Sequence, residues 1–391
     1  EIQNDMNVIL STKPYTYHEG LFDELLHSRQ AYEEALLKKA NLTSEIGRQL
    51  VLSADAYVVD RESTQGKSII AGYPFFEDWG RDTMIALAGT TLVTGRLEEC
   101  KSILQTFAKY EHHGLLPNLF PEGDVEPMYN SVDAPLLFIN AVYEYIQTSK
   151  DNAFLQEVWD VLKRIMTAYE KGTDYHIGMD SDCLIQAGAD LEQLTWMDVR
   201  VGNYLPTPRH GKPVEINAYW YNDLEIMKQF ALLQQDNELA QHYAELADKV
   251  KEAFLLKFWN EEENCLKDVL SGNSEENQVR CNQVWVLSMP YTMLPKEKEL
   301  CVLHKIKEEL YTTAGLRTLS PKDSAFHDIY IGSMQERDRA YHQGTVWAFP
   351  LGAYYRAWTK YLRQDASDKT SVYKAELAEG IEAIRYWLGG G

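Results

Sequence analysis

The sequence predicts an all-α fold, a closed ring of helical hairpins with its long loops gathered at one end, and three observations predict it. Apolar residues recur at the spacing of one helix face through most of the chain. Short turns alternate with long connections rich in Gly, Pro, Asn and Trp, and no low-complexity tract, fixed-period repeat or flexible linker divides the 391 residues. That length exceeds the usual single domain, but a barrel assembled from one repeated hairpin reaches it undivided.

In chain order, Asn7-Val8-Ile9-Leu10-Ser11-Thr12-Lys13-Pro14 reads as a short strand ended by proline, followed by an acidic helix from about Leu21 to Lys39. Amphipathic segments then fall near 43–57, 82–94, 97–110, 133–148, 152–171, 216–234, 237–258, 281–288, 296–310, 344–362 and 370–388. These make eleven helices, one short of six hairpins. Boundary chemistry supports them: Asp151 and Asn152 can cap a helix whose apolar face carries Phe154, Leu155, Val158, Leu162, Ile165 and Met166, with Gly172 just past its end. Gly95 separates two neighbouring helices in the same way.

A formal net charge of -21 disfavours a polyanionic partner, so nucleic acid is not expected as a ligand. The five cysteines (Cys100, Cys183, Cys265, Cys281, Cys301) are scattered, odd in number and free of zinc or redox spacing, as in a reduced cytoplasmic protein. No apolar run is long enough to span a bilayer, and the N-terminus lacks a basic start or a hydrophobic signal core. The chain starts at Glu1, so a fragment or a processed chain is expected. Abundant Tyr and Trp suit a cleft that stacks on sugar faces as well as a core.

Four long connections, 72–81, 114–132, 184–215 and 315–343, hold the polar and aromatic residues that are too irregularly spaced to be helix faces. In the first, Trp79, Arg81 and Asp82 either face a ligand or, for Asp82, cap the next helix beside Arg81. In the second, Asn130 or Ser131 is an N-cap, which leaves Asp133 free for a hydroxyl. In the third, Asp198 follows Trp196 and Met197. A carboxylate beside a tryptophan in a non-helical stretch is where partial desolvation holds a proton toward neutral pH, as a general acid for glycoside cleavage requires. A surface or capping role is the competing reading, and Glu215 is equally a first-turn acid favoured by the helix dipole. The fourth connection carries Tyr341-His342-Gln343, with His342 a base, a sugar-hydroxyl ligand or a buried polar residue. The hydroxyl ligand is preferred, because no Ser or Cys nucleophile pairs with it and no metal-binding motif occurs.

Taken together, Phe76-Glu77-Asp78-Trp79-Gly80-Arg81-Asp82-Thr83, Tyr129-Asn130-Ser131-Val132-Asp133-Ala134, Thr195-Trp196-Met197-Asp198, Gly211-Lys212-Pro213-Val214-Glu215-Ile216-Asn217-Ala218 and Tyr341-His342-Gln343-Gly344-Thr345-Val346-Trp347 resemble the C-terminal domain of glycogen-debranching enzymes. Smaller echoes are Arg280-Cys281-Asn282-Gln283 and Leu316-Arg317-Thr318-Leu319-Ser320-Pro321, and the similarity runs from about residue 70 to 360. The resemblance implies an α/α-barrel of six helical hairpins (an α/α toroid) with amylo-α-1,6-glucosidase activity, acting by inversion on glycogen or another branched α-glucan. It implies that Asp198 is the acid and that Trp79, Arg81, Asp82, Asn130, Asp133, Trp196, Glu215, Asn217, His342 and Gln343 line the glucose pocket. No cofactor is implied, since glycoside hydrolysis needs only two carboxyls and water.

The family's general base lies in a loop beyond the helix that follows the His-Gln-Gly-Thr-Val-Trp motif, before a final helix. Here only Gly389-Gly390-Gly391 follow Leu388, so the expectation is a barrel without its last helix and its base. Residues 1–40 are expected to be the end of a preceding β-rich domain and a linker helix, and 41–391 the barrel. Two other readings stand beside the leading one: a glucoamylase- or trehalase-like inverting α-glucosidase, and a glucan-binding domain without turnover. Glu336 or Asp338 is the candidate for a substitute base.

Overall fold

A computed structural model describes residues 8–11, 14–74, 76–121, 125–364 and 370–388. The chain is mostly helical, with a few small antiparallel strand pairs tucked into its loops. The helices are α1 (Leu21–Ala40), α2 (Glu45–Asp55), α3 (Gly80–Leu87), α4 (Leu97–Lys109), α5 (Ala134–Ser149), α6 (Asn152–Lys171), α7 (Val214–Leu233), α8 (Asn237–Lys257), α9 (Val284–Ser288), α10 (Lys296–Lys305), α11 (Met334–Ala340), α12 (Pro350–Gln364) and α13 (Thr370–Leu388). Among the described residues no helix is long and apolar enough to cross a membrane.

The expected caps form where their chemistry requires. The Asp151 side chain accepts from the Phe154 amide at 3.1 Å, and Gly172 closes α6 at φ +93°. Gly95, at φ +75°, lets the chain pass Lys39, whose carbonyl oxygen would stand 2.8 Å from a Cβ there. Several expectations are corrected. Val8–Ser11 form no strand and lie exposed, because no neighbouring strand accepts their ladder bonds; Asn7, Thr12 and Lys13 fall outside the described residues. The segment at 344–362 becomes helical only at Pro350, since Val346–Trp347 pairs with Gly315–Arg317. The segment at 281–288 opens as a 3₁₀ turn, and the helices at 82–94 and 296–310 end in π turns, Ala88–Leu92 and Ile306–Leu310. The short α11 was not expected, although Ser333 and Glu336 form a capping box that is legible as Ser-x-x-Glu.

Two classes of helix follow from the distribution of apolar residues. On α6 the buried side chains Phe154, Leu155, Val158, Leu162, Ile165, Met166 and Tyr169 keep a 3.6-residue period, so the helix buries one face. On α5 and α7 long consecutive runs are buried, Ala134–Ile139 and Val214–Leu224, which only a helix enclosed on all sides can do. Contacts agree: α3 packs on α5, α5 on α7, α7 on α9 and α9 on α12, while α4 and α6 cover α5, α8 lies along α7, α10 on α9 and α13 on α12. A hollow of about 240 Å³ remains among α3, α5, α9 and α12, and Arg356 of α12 pairs with Glu144 of α5 at 2.5 Å on its wall.

Enclosure on all sides leaves polar residues of α7 deep in the protein. Asp223 is fully buried; its Oδ1 accepts from Asn222 Nδ2 at 3.3 Å and its Oδ2 has no partner. Burial holds its carboxyl well above the usual range. From about pH 3.9 upward, the native protein therefore keeps a proton that the unfolded chain releases, and stability falls as pH rises through that window. Asp223→Asn is expected to raise the thermal midpoint at pH 7 and to leave it nearly unchanged near pH 3, as read by calorimetry across that range. A gain independent of pH would show that the carboxyl is not the source of the penalty.

Candidate active site

Two of the long connections are stitched together by a two-stranded pairing, Asp78–Trp79 with Leu119–Phe120. Beneath it the buried Arg61 pairs with Asp78, donates to Phe120 O at 3.1 Å and Pro121 O at 2.6 Å, and lies 3.6 Å over the Phe120 ring. The next residue, Gly80, donates to Asn118 O at 2.7 Å, and a Cβ there would meet Pro117 O at 2.0 Å, so only glycine fits. This seam sets the first turn of α3 and with it Arg81.

Arg81 is 6% exposed, and its guanidinium gathers three connections. Nε donates to Asp133 Oδ2 at 2.6 Å, Nη2 to Leu194 O at 3.1 Å, and Nη1 to Asp198 Oδ2 at 3.4 Å. Asp133 is consequently not left free for a hydroxyl. It is 3% exposed, and its second oxygen accepts from Ser131 Oγ at 2.5 Å, while Ser131 Oγ also accepts from the Ala134 amide in the capping role expected of it or of Asn130. Asn130 is half-buried and its Oδ1 accepts from Asn118 Nδ2 at 3.4 Å.

Asp198 keeps 37% of its side chain open to solvent, yet desolvation by the surrounding protein is the largest influence on its carboxyl and lifts it above the ordinary range. The cation of Arg81 opposes that rise, and the charges of Asp133 and Asp82 add to it. Asp82 repeats the pattern, exposed in surface terms but raised by desolvation. An open tip with protein on most sides is the signature of a carboxylate facing a cleft. Tyr341 completes this wall, since the charges of Asp198 and Asp82 both raise its hydroxyl after the effect of its own burial. Trp79 is half-buried at the start of α3.

The remaining expected ligands lie behind this wall. Trp196 is 8% exposed and packed edge-on against His342, Trp347 and Phe349 at 5.2, 5.7 and 4.9 Å; its Nε1 donates to Asn282 Oδ1 at 2.7 Å. It anchors the Asp198 turn from behind. His342 is 1% exposed, and burial together with the cations of Arg280, Arg81 and Arg209 drives its ring well below the ordinary value, so it is neutral. Gln343 is spent on Arg280, from which Oε1 accepts at 2.7 Å, and on Pro206 O, to which Nε2 donates at 2.5 Å.

Both oxygens of Glu215 accept from Arg209, which also donates to Asp268 at 2.8 Å. Asn217 is fully buried and bridges Ile185 N and O and Pro213 O at 2.7, 3.1 and 2.9 Å. Glu336 is held by its capping box, accepting from the Ser333 amide and hydroxyl at 2.7 and 2.8 Å, which lower its carboxyl, and Asp338 lies two residues on in the same short helix. The polar floor under Asp198, made by Arg209, Asp268, Arg280 and Asn282, carries no periodic or spacing signal; Arg209 and the Arg280-Cys281-Asn282-Gln283 string stood out only as motif neighbours, and Asp268 not at all.

Among the described residues no group of His, Cys, Asp and Glu is placed to hold a metal ion. A hollow of about 850 Å³ lies between the Glu111–Gly114 turn and α6 and is lined by none of the residues that Arg81 gathers. The candidate site is the convergence of Arg81 and Asp198 beside Asp82, apart from that hollow.

Residues 52–386 match the family described as amylo-alpha-1,6-glucosidase. The glycogen debranching enzyme of Saccharomyces cerevisiae is 26% identical over 426 aligned positions, which take in 82% of this chain and 28% of that protein. The mannosyl-oligosaccharide glucosidase of the same yeast is 28% identical over 130 positions, covering 31% of this chain and 14% of that protein. The chain thus spans less than a third of the length of either relative.

The buried cluster of Arg209 with Glu215 and Asp268 predicts its own mutational signature. Glu215→Gln leaves two buried cations, Arg209 and Arg280, facing the single carboxylate of Asp268 and is expected to cost about 3 kcal/mol or more of unfolding free energy in a urea titration. An unchanged denaturation curve would show that the cluster does not hold α7 to the loop before it.

Proposed function

The chain belongs to the amylo-alpha-1,6-glucosidase family, and on that premise we propose that it hydrolyses the α-1,6 bond that joins a single glucose to branch points of glycogen-like glucans. Asp198 is the general acid in this reading, and its environment is the observation that carries it: a carboxyl lifted by desolvation, open on one side, with a cation in reach on the other. Such a group keeps its proton at a pH where an ordinary aspartate has lost it.

The chemistry then runs as follows. The Asp198 proton passes to the bridging oxygen as the bond from that oxygen to glucose C1 breaks, and the departing chain keeps the proton as a hydroxyl. The carboxylate left behind is stabilised by Arg81, whose Nη1 is already 3.4 Å away. In an inverting reaction water adds to C1 from the opposite face, with a second carboxylate ~6.5–9.5 Å from the acid taking its proton. Asp82, exposed beside Asp198, offers an acceptor to a hydroxyl of the bound glucose. The succession α3, α5, α7, α9, α12, covered by α4, α6, α8, α10 and α13, supports an α/α-barrel of helical hairpins as the scaffold.

Asp198→Asn is expected to reduce release of free glucose from a branched limit dextrin by at least about a hundredfold; release at the wild-type rate would remove Asp198 from the chemistry. Parallel assays on maltose and trehalose distinguish the α-1,6 specificity from that of a glucoamylase or a trehalase. Because the acid must be protonated, kcat/KM falls as pH rises through the Asp198 pKa, which lies above the ordinary aspartate value. Asp82→Asn removes a charge that raises that pKa, so the alkaline limb of the pH profile should move to lower pH. A limb that stays in place would show that Asp82 does not act on the acid.

A further inference from the structure

Arg81 stands between two carboxylates and is not shared equally. Its Nε lies 2.6 Å from Asp133 Oδ2, while its Nη1 reaches Asp198 Oδ2 only at 3.4 Å. Charge-assisted N–H···O bonds are strongest at about 2.7–2.9 Å and weaken beyond it, so the cation is committed to Asp133 and only loosely to Asp198. The chain fixes that bias. Asp133 is 3% exposed, its Oδ1 accepts from Ser131 Oγ at 2.5 Å, and Ser131 Oγ is itself held by the Ala134 amide at 3.2 Å. Arg81 is tethered on its other edge, where Nη2 donates to Leu194 O at 3.1 Å.

The bias bears on the acid. A guanidinium in full contact lowers an aspartate carboxyl by roughly 1–3 pH units, which would undo the effect of the desolvation around Asp198. A second anion on the same guanidinium prevents this in two ways: it competes for the donors, and its charge offsets the field of the cation at Asp198. No other group around the pair does both. Asp82 of α3 acts on Arg81 and Asp198 through its charge. Tyr169 of α6, Tyr219 of α7 and Tyr341 are phenols raised by burial, and His342 is a neutral ring. The cations of Arg209 and Arg280 in the layer below are matched by Glu215 and Asp268.

We infer that Asp133 is a positioning residue for the acid: it holds the Arg81 guanidinium back from Asp198, so that the cation comes into full contact only after the proton has left. The role of Asp198 rests on the glucosidase reading above, but its protonation is read without turnover. A water-soluble carbodiimide with glycine ethyl ester labels a carboxyl in its protonated form, and peptide mapping follows Asp198 as pH is raised. Asp133→Asn should move the labelling midpoint, and with it the alkaline limb of kcat/KM, down by about one pH unit or more, and Asp133→Glu should restore both. A merely structural role would reduce activity at every pH and leave the midpoint in place. Removing one partner of a buried ion pair can prevent folding, so the double variant Arg81→Gln/Asp133→Asn, in which cation and anion are lost together, is measured beside it. Its midpoint should stay close to that of the wild type. A rise of about one unit or more in the double variant would show that the cation acts on the acid unopposed and would overturn the inference, as would an unmoved midpoint in folded Asp133→Asn. Glucose release that survives in Asp198→Asn would instead sink the glucosidase reading and leave the labelling result standing.

Discussion

Burying the guanidinium of Arg81 forces the loops around it to converge. A cation with almost no access to water must find carboxylates and carbonyls for its donors, and in this chain they come from residues 133, 194 and 198. Three loops that are far apart in sequence are thus held at hydrogen-bond distance. The strand pairing of Asp78–Trp79 with Leu119–Phe120 and the close approach at Gly80 place α3 so that Arg81 can make these bonds. Without that seam the cleft around Asp198 has no common reference point.

Below the cleft lies a second polar layer in which charges are matched two against two, Arg209 and Arg280 with Glu215 and Asp268. Such a layer adds little net stability compared with apolar packing, but every member is costly to leave unpaired, so it disfavours alternative arrangements of the loops. Asn282 joins the layer to the aromatic cluster by accepting from Trp196 and donating to Asp268 at 2.7 Å. Trp196 therefore supports the Asp198 turn from behind. The catalytic geometry proposed here depends on this rigid floor more than on flexible contacts at the surface.

Asp198 illustrates how a carboxyl can be raised without being hidden. Full burial beside a single cation would leave the carboxyl paired and inaccessible, and full exposure would leave it ionised. Its partial exposure, with protein on most sides, permits both proton retention and approach of a ligand.

Local sequence determined the elements. The 3.6-residue period of 152–171, the caps at Asp151 and Gly172, and the loop character of the four long connections were all legible, because they depend on residues within a few positions of one another. Motif order singled out the cluster of Arg81, Asp82 and Asp198, and the Trp-Met-Asp context anticipated the direction in which Asp198 titrates. Tertiary structure alone decided what each polar side chain does. Asp133, Glu215, Asn217 and Gln343 stand in motif positions, but their hydrogen-bonding capacity is taken up by Arg81, Arg209, backbone groups and Arg280. Asp268 carried no signal at all. A side chain's type states which bonds it can form, while its partners are set by which segments burial brings together, and that choice is made across more than a hundred residues of intervening chain, as between Arg81 and Asp198.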